Sequence, residues 1–133
     1  MANLKSLNID GDLPLKKGTT THPNGTTVAV DLATGNYFEV DFQNVSGTIT
    51  TFTITEALSG TQVQTFVLKI TQGSPNWGID WRGLPAFYWA PAGALAGSTP
   101  LLSASNDAVD ILQFTTYDLG TTWYGEIVGL NFT

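Results

Sequence analysis

The side chains that could support catalysis are few and scattered. His22 is the single histidine, and it stands in a loop rich in Thr, Pro, Asn and Gly. A histidine that acts as a general base or metal ligand needs partners, and the chain has no second histidine and no cysteine. We therefore expect His22 to be an exposed loop residue.

Several aspartates fit turns better than active sites. Residues 10–12 read Asp-Gly-Asp, but no third carboxylate and no closing Glu complete a calcium loop. Asp107, Asp110 and Asp118 lie around a strand-turn-strand segment, where aspartate side chains accept hydrogen bonds from nearby backbone N–H groups. We expect turn roles for all of them.

The remaining candidates for chemistry lack the necessary pairing. Glu39 and Asp41 share one strand face that points to solvent, whereas Glu56 and Glu126 are isolated, so no two-carboxylate cleft is indicated. The sequence contains neither a Gly-x-Ser-x-Gly elbow nor a glycine-rich phosphate loop. It predicts no catalytic residue, no metal and no cofactor, and hence a protein that is not an enzyme.

The composition also limits the partners. Only 12% of the 133 residues are charged, the net charge is −6, and the five basic residues form no stripe that could neutralise phosphates. No basic amphipathic helix, apolar leader or long apolar run is present. We expect no nucleic-acid or membrane partner, and synthesis in the cytoplasm of a cell.

Strands must position whatever site exists. The strongest signal is residues 108–132, where two apolar runs flank the turn at residues 117–120. The segment 83–107 is rich in Gly and Pro and predicts a loop. Further strands are predicted at residues 27–31, 37–42, 48–55 (with a bulge near Thr50 and Thr51), 62–71, 76–81 and, as a minor strand, 99–103.

Short strands at this spacing predict an all-β fold, a single-domain antiparallel β-sandwich that is jelly-roll-like and has about eight strands. Residues 27–133 would form the sandwich, and residues 1–26 an extended N-terminal arm and loop. The arm contains the apolar residues Leu4, Leu7 and Ile9, separated by polar residues. The arm could be an edge strand of the same domain or could lie on a neighbouring subunit.

Aromatic residues concentrate in the second half of the chain. The group comprises Trp77, Trp81, Phe87, Tyr88, Trp89, Trp123 and Tyr124. Trp77 and Trp81 share parity on one predicted strand, whereas residues 87–89 fall in the predicted loop, where partial exposure is expected. Core packing, subunit contact and ligand binding all remain open for these side chains.

Three segments resemble a β module that recurs in bacteriophage virion proteins, including tail fibres, spikes and capsid surface proteins. They read DLATGNYFEVDF at 31–42, FVLKITQGS at 66–74 and AVDILQFTTYDLGTTWYGEIVGLNF at 108–132. The middle loop of the module usually has Trp-Pro-Gly-Gly where residues 89–93 read Trp-Ala-Pro-Ala-Gly. Its last turn is usually Asp-Gly-Gly where residues 118–120 read Asp-Leu-Gly.

The resemblance implies a structural protein on the virion surface. A free-standing copy would be a capsid decoration (cement) protein that binds the outer shell as a homotrimer and contacts the major capsid protein or another virion protein. The alternative is a tail-fibre or spike module that binds a host surface glycan, and the third possibility is a small enzyme or an unrelated sugar-binding domain. The residues expected to contact a partner are Leu4, Leu7, Ile9, Phe87, Tyr88 and Trp89.

Overall fold

The computed structural model describes residues 15–21, 25–55, 63–81, 87–89 and 100–133. These ranges contain eight strands in two sheets, so the predicted all-β sandwich is confirmed. The strands are β1 (Thr19–Thr21), β2 (Thr27–Asp31), β3 (Tyr37–Asp41), β4 (Thr51–Thr55), β5 (Gln64–Thr71), β6 (Phe87–Trp89), β7 (Val109–Thr116) and β8 (Trp123–Phe132), and a short 3-10 helix (Phe42–Asn44) follows β3.

The two sheets are mixed, whereas the sequence predicted an antiparallel fold. The small sheet has the order β1-β2-β4, and the large sheet has the order β3-β5-β7-β8-β6. The pairs β2–β4, β3–β5 and β6–β8 are parallel, and the pairs β1–β2, β5–β7 and β7–β8 are antiparallel. Parallel neighbours need long connections, so local turn signals in the sequence do not reveal them.

The core lies between the two sheets and follows the alternation of the strands. Phe66, Leu68 and Ile70 on β5 are fully buried, while the residues between them face outward. Val28 and Val30 on β2 face them from the small sheet. Burying each such side chain contributes about 1.5–3 kcal/mol relative to leaving it exposed, which fixes the register of these strands.

One end of the core is aromatic. The rings of Phe66 and Phe114 stack at 4.9 Å between centroids, and Trp123 meets Phe66 edge-on at 5.1 Å. Trp81 is buried and packs against both Phe114 and Trp89. The core-packing alternative is therefore the correct one for Trp81 and Trp123.

Two predicted strands are not formed. Residues 76–81 are irregular apart from one bridge between Ile79 and Ile49. The buried Gln72 side chain holds the start of this segment, because it donates to the Trp77 carbonyl oxygen and accepts from the Trp77 N–H. Residues 100–103, the described part of the minor strand, are irregular too. Strand β4 begins only at Thr51, and the N–H groups of Thr50 and Thr51 both donate to Thr26, which fits the predicted irregularity.

The described part of the predicted arm pairs within the sandwich. Strand β1 lies against β2, and the segment before it reaches β3 through a bridge between Lys17 and Tyr37. Leu4, Leu7 and Ile9 lie outside the described residues, as do the Asp-Gly-Asp sequence at 10–12 and His22.

Candidate functional site

Three tyrosines form a continuous surface on the outer face of the large sheet, which we call the tyrosine platform. Tyr88 on β6 and Tyr124 on β8 are direct neighbours in register, and Thr115 on β7 is the partner of Tyr124 on its other side. Tyr117 follows Thr115 by two residues and joins the same face. Tyr88 is 56%, Tyr117 67% and Tyr124 52% exposed.

Tyr124 is the central ring of the platform and contacts the rings on both sides. The Tyr88 and Tyr124 centroids are 6.0 Å apart with an interplanar angle of 32°, and the Tyr117 and Tyr124 centroids are 5.9 Å apart at 61°. These separations lie within the range of favourable aromatic contacts. The three rings therefore support one another while their outer faces remain open to solvent.

The inward side chains of the same strands anchor the platform. Phe87 and Trp89 pack against the core, on the opposite side of β6 from Tyr88. A Cβ atom on Gly125 would lie 2.6 Å from Cζ3 of Trp89, so only glycine leaves room for the indole. Residues 87–89 thus form a strand rather than the predicted loop, and only Tyr88 of the three is exposed.

The turn between β7 and β8 borders the platform. The Oδ1 atom of Asp118 accepts hydrogen bonds from the Thr122 backbone N–H at 2.8 Å and from the Thr116 hydroxyl at 3.0 Å. The Thr122 N–H is the main reason that the pKa of Asp118 is lowered from its ordinary value. The predicted turn role of Asp118 is confirmed. The next two residues of the same turn, Leu119 and Gly120, both have positive φ, at 61° and 85°.

Shallow depressions lie beside the rings. One, of about 210 Å³, is lined by Thr115, Tyr117, Tyr124, Gly125 and Glu126. A more open one is lined by Tyr117, Asp118 and Tyr124. The lining groups are aromatic rings, two carboxylates and a hydroxyl, with no basic side chain among the described residues there. This arrangement presents flat apolar surfaces next to hydrogen-bond acceptors.

A second exposed surface lies further along β8 and is apolar. We call it the apolar strip, and its members are Val128, Leu130 and Phe132, all exposed. Ile127 is exposed too, but it pairs with the buried Leu112 and so lies on the core-facing side of β8. Strand β6 pairs only with the start of β8, at residues 123–125, so within the described residues the outer edge of β8 beyond Gly125 has no paired strand. Two register shifts, one on each side of Ile111, also disturb the pairing with β7.

Asp110 lies within β7 and is fully buried, so the predicted turn role is wrong for this residue. Its carboxylate accepts hydrogen bonds from the Ser103 N–H at 2.7 Å, the Ser103 hydroxyl at 2.5 Å and the Asn131 N–H at 3.0 Å. All these partners are structural, so Asp110 holds two distant segments together. Asp107, with φ of 63°, does lie in a turn as predicted.

A charged cluster occupies the opposite end of the same sheet face. Glu39 pairs with Lys17 at 2.5 Å and Lys69 at 3.7 Å, and accepts a hydrogen bond from the Tyr37 hydroxyl at 2.8 Å. The Lys17 contact, followed by the Tyr37 hydroxyl, lowers the pKa of Glu39, whereas burial and Glu39 raise the pKa of Tyr37 to about 12. Asp41 accepts from the Gln43 N–H and caps the 3-10 helix. Both carboxylates have structural partners.

Among the residues that the structure describes, no three His, Cys, Asp or Glu side chains come together as metal ligands would. No helix in that part of the chain has the length and hydrophobicity of a transmembrane helix. The sequence pattern singled out Tyr88 but not Tyr117 or Tyr124 as surface residues. Side chains alternate between the two faces of a strand, so the residue after the buried Trp123 faces solvent, and this alternation could have identified Tyr124.

No protein-family model matches this chain, and neither a curated protein nor a solved structure matches it.

Proposed function

We propose that this chain is a structural virion protein that decorates the outer surface of a capsid as a homotrimer and stabilises the shell. The observation that carries the proposal is the apolar strip on β8. Contiguous apolar side chains on a surface mark interaction sites, because leaving them in water costs free energy that association recovers. The sequence resemblance to virion surface modules supports the viral setting.

The strip is suited to contact between copies of the chain. Val128 and Phe132 are about half exposed, and the outer edge of β8 beside them is unpaired within the described residues. An open edge with apolar side chains invites further association, and closed symmetry is the common way in which proteins cover such surfaces. Three copies on a shared axis would bury the strip and present three identical contacts to the shell.

The polar surface fits a clamping role. Thr51, Thr53 and Thr55 project outward from the small sheet, and the chain has only 12% charged residues. Few charges make contacts with a shell weakly dependent on salt. Three weak contacts on one trimer add up to strong attachment, because the second and third form at a high effective concentration.

Sedimentation equilibrium tests the self-association. We expect the wild-type chain to form trimers and the double variant V128S/F132S to be monomeric with an unchanged circular dichroism spectrum. Val63→Ser is the matched control, because Val63 is an equally exposed valine outside the strip. A monomeric wild-type chain would contradict the proposed trimer.

Cryo-electron microscopy of virions that contain the chain tests its location. We expect trimeric density for the sandwich at symmetry-related positions on the capsid. Density only at a tail tip would exclude the decoration role and support a second candidate function, a fibre or spike module that binds a host surface glycan. The exposure of Tyr88 and its two neighbours favours that second candidate.

A further inference from the structure

We propose that the tyrosine platform, together with Asp118 and Glu126 at its border, is a binding surface for an uncharged glycan. This inference deepens the second candidate function, since it assigns the residues and the ligand class. It does not require the tail location, because a decoration protein can carry the same surface.

The first argument is the arrangement of the rings. Tyr88, Tyr124 and Tyr117 form a row in which neighbouring centroids are 6.0 and 5.9 Å apart. Each of these tyrosines is more than half exposed, whereas the inward aromatic side chains of the same strands, Trp89, Phe114 and Trp123, pack in or against the core. The exposed rings of Tyr88 and Tyr124 are tilted by only 32°, so together they offer apolar surface on which the flat face of a sugar ring can stack, while Tyr117 stands at 61° to Tyr124 beside them.

The second argument is the polar border. Tyr124 lines both depressions, Asp118 lines one of them and Glu126 the other, and Thr115 adds a hydroxyl. Carboxylates are acceptors with several lone pairs, so they can accept hydrogen bonds from sugar hydroxyls. An aromatic face bordered by such acceptors is matched to a ligand that has both C–H and O–H groups.

The third argument concerns the charge of the ligand. The described residues that line the depressions include two carboxylates and no Lys or Arg. The whole chain has a net charge of −6. A sialylated or sulfated glycan would meet repulsion without a compensating cation, so the surface favours an uncharged one.

Contacts within the chain hold the platform in place. Strand pairing fixes Tyr88 and Tyr124, the hydrogen bonds of Asp118 fix the turn that carries Tyr117, and Trp89 packs beneath β6. Preformed sites lose less conformational entropy on binding, and tyrosine has few rotatable bonds to immobilise.

NMR titration of the 133-residue chain with neutral oligosaccharides of glucose, galactose, mannose and N-acetylglucosamine tests the proposal. At least one of them should shift the ring resonances of Tyr88, Tyr117 and Tyr124. We expect Tyr124→Ala to weaken that binding at least about tenfold, which corresponds to about 1.4 kcal/mol, and Tyr124→Phe to keep most of it because the ring remains. Spectral dispersion of each variant shows whether it is folded.

The variant V128S/F132S separates this proposal from the trimer. It should lose self-association and keep sugar binding, whereas Tyr124→Ala should do the opposite. The glycan proposal is overturned if no neutral oligosaccharide binds, if Tyr124→Ala binds as well as wild type, or if only sialyllactose binds. Preferential binding of a polyproline peptide would also overturn it, because an aromatic surface can recognise that helix instead.

Discussion

The carboxylate of Asp110 on β7 accepts a hydrogen bond from the backbone N–H of Asn131 on β8, at 3.0 Å. The same carboxylate binds both the backbone and the hydroxyl of Ser103. Asn131 has φ of 58°, so this contact stabilises a left-handed residue near the end of the apolar strip. One buried side chain thus holds the last part of β8 and the segment that leads into β7.

Replacing Asp110 by alanine should destabilise the fold strongly. The variant leaves the N–H groups of Ser103 and Asn131 without their acceptor, and we expect a loss of about 2–4 kcal/mol in the free energy of unfolding. Urea denaturation followed by tryptophan fluorescence measures it. Asp107→Asn is the control, since asparagine tolerates the left-handed conformation at that turn. A loss below about 0.5 kcal/mol for Asp110→Ala would show that the network is dispensable.

Adding one methyl group at Gly125 should disturb the platform from below. In Gly125→Ala the new Cβ would meet the Trp89 indole at 2.6 Å, so the ring must move. We expect a loss of about 1–3 kcal/mol in the free energy of unfolding and a changed tryptophan emission spectrum. Gly78→Ala serves for comparison, because a Cβ there has no atom within 4 Å. Equal stability of the two variants would refute the packing argument.

The turn after β7 holds Leu119 in a conformation that suits glycine. Its φ of 61° costs a branched-chain residue about 1–2 kcal/mol relative to glycine. Leu119→Gly should therefore raise the free energy of unfolding by up to about 1.5 kcal/mol, after the extra chain entropy of glycine, about 0.5–1 kcal/mol, is subtracted. Thermal unfolding at pH 7 measures the gain. Gly120→Ala, at φ of 85°, should lose stability, and an unstable Leu119→Gly would show that the leucine side chain contributes packing.

The Glu39 cluster should make stability depend on acid pH. The folded pKa of Glu39 lies below its ordinary value of 4.5, so the ionised form is favoured by folding. Its stabilising contribution is complete above pH 4.5 and disappears as the pH falls through the folded pKa. We expect Glu39→Gln to lower the melting temperature at pH 7 and to reduce its fall between pH 5 and pH 3. Glu126→Gln, an exposed carboxylate on the same face, should change this fall less; equal changes would contradict the assignment.

The hairpin of β7 and β8 was predictable because each apolar run alternates and the turn between them has strong local signals. Strand β6 was missed for two physical reasons. It is three residues long, and its partner is β8, which is distant in sequence and parallel to it. In addition, the Gly and Pro residues within 83–107 are typical of loops, and a prediction from local sequence therefore assigns a loop to this segment.

The candidate site shows the same limit. The alternation along β8 predicts that Tyr124 faces away from the buried Trp123. Only the register between β6 and β8 shows that Tyr88 lies beside Tyr124. Asp110 illustrates the opposite error, since aspartate favours turns locally and yet is buried here by donors that come from far along the chain. Contacts between segments distant in sequence, rather than the preference of each residue type, determine both the position of Tyr88 beside Tyr124 and the burial of Asp110.

The position of β8 between β7 and β6 has a consequence for synthesis on the ribosome. Strand β6 is made first, but its pairing partner, residues 123–125, emerges more than thirty residues later. Until then β6 lacks its pairing partner and Trp123 is missing from the core, so the nascent chain leaves part of its aromatic surface uncovered. The large sheet is therefore completed only when β8 is available to pair, and until then the nascent chain is more prone to aggregation.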